Sequence, residues 1–114
     1  MTILKPRPEG YPIKLVRDFT PEIINNTGEP GELFYAEPPK ELVIPFLKRK
    51  LSEEVTEYLI DGGVDELSDI LAVVVALARE HGVNDLDRVM RDDPRGGFYR
   101  PVMMLGRHKE FDLQ

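Results

Sequence analysis

The stretch 50-KLSEEVTEYLIDGGVDELSDILAVVVALAREHG-82 decides how the chain folds. Leu47, Leu51, Val55 and Tyr58, with Leu59 beside them, recur at helical spacing and form one apolar stripe. Asp61-Gly62-Gly63 then interrupts the pattern, and a second helical run begins at Val64 and stops at Gly82. The centre of this second run, ILAVVVALA, is apolar all the way round, so it should be buried on every side. One neighbouring helix cannot cover such a surface. The sequence therefore predicts an all-α fold: a helical hairpin completed by dimerisation into a four-helix-bundle-like core.

Outward from the hairpin, the first long helix is expected over 40–61. Pro45 makes its first turn either separate or kinked. Upstream, Thr20-Pro21-Glu22 reads as a cap followed by a helix start, ending between Asn25 and Gly28. Residues 29–39 carry Pro30, Gly31, Pro38 and Pro39 and read as a long irregular connection. Downstream, Asn84 is the expected cap of a third helix over 85–92, with an acidic first turn that suits the helix dipole. Pro94 ends it. Phe98 to Leu105, with Val102, Met103 and Met104, reads as a short strand or an arm laid across a partner. The organisation expected is an extended N-terminal segment over 1–13, one domain over 14–105 and a polar tail over 106–114.

The composition limits what such a domain can do. Its 114 residues suffice for one domain, and 41% apolar content supports a modest core that favours a partner subunit. No cysteine is present, so a metal must be held by oxygen or by His81 and His108. Neither histidine has a second ligand at metal spacing, and His81 beside Gly82 suits a helix C-terminus. With 15 Lys plus Arg against 21 Asp plus Glu, the net charge of -6 is badly suited to a nucleic-acid polymer. There is no signal-peptide pattern and no run that spans a bilayer, so the sequence predicts a soluble cytoplasmic protein without membrane contact.

The chemistry lies in two carboxylate pairs. Glu54-Val55-Thr56-Glu57 ends the first long helix and Glu66-Leu67-Ser68-Asp69 opens the second. Residues three apart share a helix face. Glu57 and Glu66 are equally far from the break at Asp61-Gly62, and so are Glu54 and Asp69. An antiparallel hairpin therefore sets Glu57 against Glu66 in one layer and Glu54 against Asp69 in the next. Either pair alone suits an ordinary solvated helix face. Together they border the apolar stripes, and four converging carboxylates repel one another unless a cation relieves them. Mg²⁺ prefers oxygen ligands and leaves positions for phosphates, and Mn²⁺ suits the same set. Glu53 is a fifth carboxylate one position off this face, either a supporting or proton-accepting group or a solvated helix residue.

KLVRD (14–18) followed by PEII, KLSEEVTEYL, DELSDILAVVVAL and the later RGGF (95–98) resemble the MazG-like nucleoside triphosphate pyrophosphohydrolases, relatives of phosphoribosyl-ATP pyrophosphohydrolase. The resemblance runs from Lys14 to Leu105. It implies an α-helical homodimer or homotetramer in which Glu54, Glu57, Glu66 and Asp69 hold Mg²⁺. It further implies that water attacks the α–β phosphoanhydride of a nucleotide, releasing a monophosphate and pyrophosphate, in a house-cleaning role. Phosphoribosyl-ATP is the rival substrate, and a non-catalytic helical dimer serving as an interaction module is the rival class.

Phosphoryl chemistry also needs cations around the phosphates. Lys14, Arg17, Lys50 and Arg95 are the candidates. Gly96 and Gly97 either let backbone amides approach a phosphate or form a tight turn after a helix. The chain departs from the family's pattern at Phe19 and Thr20 after KLVRD, at Arg91, and over Asp92-Asp93-Pro94. None of these positions is an expected metal ligand, so they bear on substrate preference.

Overall fold

A computed structural model describes residues 14–26 and 35–107. The expectations for 1–13, for most of the 29–39 connection, for Gly28 and for His108 lie outside the described residues. Four α-helices follow in order: α1 Thr20–Asn26, α2 Val43–Asp61, α3 Val64–Glu80 and α4 Leu86–Asp92. Among the described residues there is no strand. The fold class is all-α. No helix is long and apolar enough to cross a membrane. The described residues up to Asn84 form one compact unit and those from Asp85 onward a second.

In the first unit, α2 and α3 make the expected hairpin and supply its main packing. Pro45 causes no kink, because it falls in the first turn of α2, where its missing N–H has no helical partner to lose. The preceding turn is separate, a 3-10 turn over Lys40–Leu42. α2 ends in a left-handed cap: Gly62 has φ 68° and ψ 19°, and its N–H donates to the Tyr58 carbonyl at 2.7 Å. Gly63 is extended and α3 starts directly after it. α3 ends in a Schellman arrangement, where Val83 N–H donates to Ala78 O and Gly82 N–H to Arg79 O, both at 2.9 Å, with Gly82 at φ 81°.

The ILAVVVALA run is not buried on every side within one chain, as expected where one neighbouring helix covers it. Val73 is the one buried apolar residue among the described residues, and Leu71 is 60% exposed. A single facing helix covers a single stripe of α3, and the rest of its surface stays open. In the second unit, α4 is capped by Asp85 rather than Asn84: the Asp85 carboxylate accepts from Arg88 N–H at 3.0 Å. The tail does not form the strand alternative. Residues 101–106 have no regular structure, and Val102, Met103 and Met104 are exposed.

The turn between α2 and α3 carries a test of the fold. A Cβ on Gly62 would meet nothing nearer than the Tyr58 carbonyl at 3.9 Å, so its cost is backbone conformation alone. Gly62→Ala should destabilise the protein by about 1–2 kcal/mol, read as a lower chemical-denaturation midpoint at unchanged slope.

Candidate functional site

Glu53, Glu54 and Glu57 project from the C-terminal half of α2, and each offers one oxygen within 4.8 Å of the others. This is the one such acidic group among the described residues. Spacings of three and four along α2 bring Glu57 beside Glu54 and Glu53. Glu54 is only 5% exposed. Its Oε1 lies 3.0 Å from Lys50 Nζ one turn earlier, while its Oε2 is buried and without a hydrogen-bond partner. A buried carboxylate oxygen with no donor is costly, so this atom points to a cation or donor that completes it.

The electrostatics follow from the crowding. The negative charge of Glu54 beside it, more than its slight desolvation, pushes the Glu57 carboxyl above the ordinary glutamate range. Burial pulls the Lys50 ammonium down. The hydrogen bond and charge of Glu54, joined by Glu53 at 3.4 Å, outweigh this and raise Lys50 above its ordinary value.

α3 contributes the second half. Asp69 lines the same cleft as Glu54, an open space of about 630 Å³ between α2, α3 and residues 15–18. Glu54 and Asp69, expected to face each other across the hairpin, both line this cleft. Arg17 reaches in from the N-terminal segment, with Nη1 3.3 Å from both Asp69 Oδ1 and Ser68 Oγ. Leu47, Leu71 and Val75 continue the cleft as an apolar wall.

Glu57 and Glu66 do not line that cleft. Glu66 sits in the first turn of α3, and a Cβ on Gly63 would fall 2.5 Å from its Oε2, so the carboxylate lies over Gly63. It stands outside the α2 triad, and so does Asp69. The residue that sequence reasoning undervalued is Glu53. Adjacency to Glu54 and the four-residue step to Glu57 were the available signal. Lys14 is exposed, as is His81 at the end of α3.

The second unit holds the remaining candidates. Arg95 is engaged by Asp93 through Nη2–Oδ2 at 2.7 Å, Nε–Oδ1 at 3.0 Å and its backbone N–H to Oδ1 at 2.9 Å. These bonds hold the Asp93 carboxyl below its ordinary value and raise the guanidinium. Gly96, at φ 74°, donates to Asp93 O at 3.0 Å. A Cβ on Gly97 would meet the Tyr99 ring at 3.1 Å. Gly96 closes a tight turn begun at Asp93.

The α2 cluster fits a hard divalent cation in its chemistry. Its donors are carboxylate oxygens, one of them buried and unpartnered, and a cation would relieve the repulsion on Glu57. A scan against models of protein families, a search of curated proteins and a search of solved structures found no match to this chain.

The raised Glu57 sets a pH dependence. A carboxyl raised in the folded state contributes stability below its unfolded pKa and loses it as pH rises through the folded value. In metal chelator, carbon-detected NMR should show Glu57 titrating above the ordinary glutamate range. Glu54→Gln should bring it back down, because the neighbouring charge is gone. An unmoved Glu57 in that variant would show that another group causes the shift.

Proposed function

We propose that this chain is a Mg²⁺-dependent nucleotide pyrophosphohydrolase of the MazG-like kind. The observation that carries the reading is the unpartnered Oε2 of buried Glu54, set among Glu53 and Glu57 on a cleft that also bears Asp69, Lys50 and Arg17. Glu54, Glu57, Glu66 and Asp69 would hold the cation, with Mn²⁺ as an alternative occupant, once Glu66 swings from its place over Gly63 and Asp69 leaves Arg17. Bound there, it supplies Lewis acidity, lowering the pKa of water and neutralising phosphate charge. Glu53, within the cluster but outside that ligand set, would accept the proton of the attacking water once freed from Lys50. Lys50, Arg17 and Lys14 provide positive charge for the phosphates. The apolar wall of Leu47, Leu71 and Val75 gives the nucleoside a surface to lie on. Arg95 serves only if its bonds to Asp93 are released.

In the same reading two copies pair through the hairpin. Leu59, Ile60, Val64 and Leu71 are all more than half exposed, and a soluble monomer rarely leaves so large an apolar surface on its principal helices. The house-cleaning role belongs to this proposal and is carried by the resemblance alone. A second reading, a non-catalytic helical dimer, is favoured by one observation: Lys50 and Arg17 already neutralise Glu54 and Asp69, so the carboxylates are tolerated without a metal.

The deciding experiment is pyrophosphate release from a panel of nucleoside triphosphates and phosphoribosyl-ATP with Mg²⁺. Activity is expected to require the metal and to fall by on the order of 100-fold or more in Glu57→Gln and in Asp69→Asn. No hydrolysis of any substrate would remove the enzymatic reading in favour of the interaction module. Independently, Mg²⁺ at 100 times its dissociation constant should stabilise the protein by about 2.7 kcal/mol in thermal melts. Sedimentation should report two or four times the chain mass.

A further inference from the structure

Two of the carboxylates that line the cleft, Glu54 and Asp69, are each already held by a cation from this chain. Lys50 Nζ lies 3.0 Å from Glu54 Oε1 and 3.4 Å from Glu53 Oε1. Arg17 Nη1 lies 3.3 Å from Asp69 Oδ1. The two differ in setting, since the Lys50 side chain is 16% exposed and that of Arg17 60%. The arrangement is unequal within Glu54 too, as Lys50 takes one oxygen and leaves the other buried and bare. A divalent ion and a monovalent side chain cannot both dominate the same carboxylate without mutual repulsion, and over the 3–4 Å at issue this repulsion is strong.

We propose that Lys50 and Arg17 are built-in competitors for the divalent cation. They neutralise Glu54 and Asp69 when it is absent, and on its arrival they are displaced and freed to meet the phosphates. This rests on the metal-binding half of the function proposed above. The consequence is a linkage: the cation releases the two charges an anionic ligand needs, and an anion that captures those charges leaves the carboxylates to the cation. Each should therefore strengthen the other by the same factor. In the absence of the ion, two of the three basic side chains that line the cleft, Lys50 and Arg17, are occupied by carboxylates, and Arg79 is the third.

Competition makes a prediction opposite to that for a supporting ligand shell: removing the side chain should tighten metal binding. The test is calorimetric titration of Mn²⁺ into wild type, Lys50→Met, Arg17→Gln, Lys48→Met and Glu54→Gln, all after chelator treatment. Lys48→Met makes the same charge change two residues away, about 200° round α2, and so measures the general effect of charge. Lys50→Met should bind Mn²⁺ about tenfold more tightly or better, since it removes a hydrogen bond between charged groups that the ion must break. Arg17→Gln should tighten binding roughly two- to fivefold, as suits an exposed pair. Lys48→Met should change affinity by less than about twofold, as a solvated charge is screened.

Lys50→Met should also melt at a lower temperature than wild type in chelator and gain more from Mn²⁺. If it does not fold, Arg17→Gln against Lys48→Met decides the question alone. Lys50→Met or Arg17→Gln binding no tighter than Lys48→Met would overturn the competition while leaving the metal site standing. No saturable Mn²⁺ binding in wild type, with Glu54→Gln indistinguishable from it, would overturn both.

Discussion

A charged carboxylate buried in a hairpin with almost no apolar core is the constraint around which this structure is arranged. Glu54 is the most buried residue described, ahead of Val73. An ionised group there must be matched by positive charge or it destabilises the fold. Lys50 supplies that match from one turn away on the same helix, which places the local balance of α2 inside its own sequence. The neighbours inherit the strain of this arrangement. Glu57, pressed by the charge of Glu54, gives up its proton less readily than an ordinary glutamate. Arg17, from the segment before α1, answers Asp69 of α3 in the same way.

The hairpin was legible from the sequence because its signals are local. The apolar stripe of Leu47, Leu51 and Val55, the break at Gly62-Gly63 and the stop at Gly82 depend on backbone chemistry that needs no partner. The α4 boundary was missed by one residue, because Asn84 and Asp85 are both good caps and only the geometry of the approach selects between them. A strand in the tail was a poor expectation for a physical reason. A strand needs a ladder, and Val102 to Leu105 find none among the described residues.

The site was legible in its residue types and less so in its grouping. Helical spacing places Glu54 beside Glu57, and antiparallel symmetry about the turn places Asp69 on the cleft that Glu54 also lines. Spacing does not determine where a long side chain points. Glu66 lies over Gly63, the residue with no Cβ to obstruct it, and Glu53 swings into the cluster from a position one step off the face. Arg95 shows the same limit. Its type suits a phosphate, while the fork geometry of Asp93 two residues earlier claims it.

The turn of two residues, Gly62 and Gly63, does more than reverse the chain. Each residue added to or taken from it would rotate α3 by about 100° about its axis and slide it about 1.5 Å. Both helices would survive such a change, since their propensities and caps are internal, yet Asp69 would leave the cleft it lines with Glu54. The turn is thus a phase setting between two helices. Insertions that many surface loops tolerate would here silence the cleft while leaving a helical, folded protein behind.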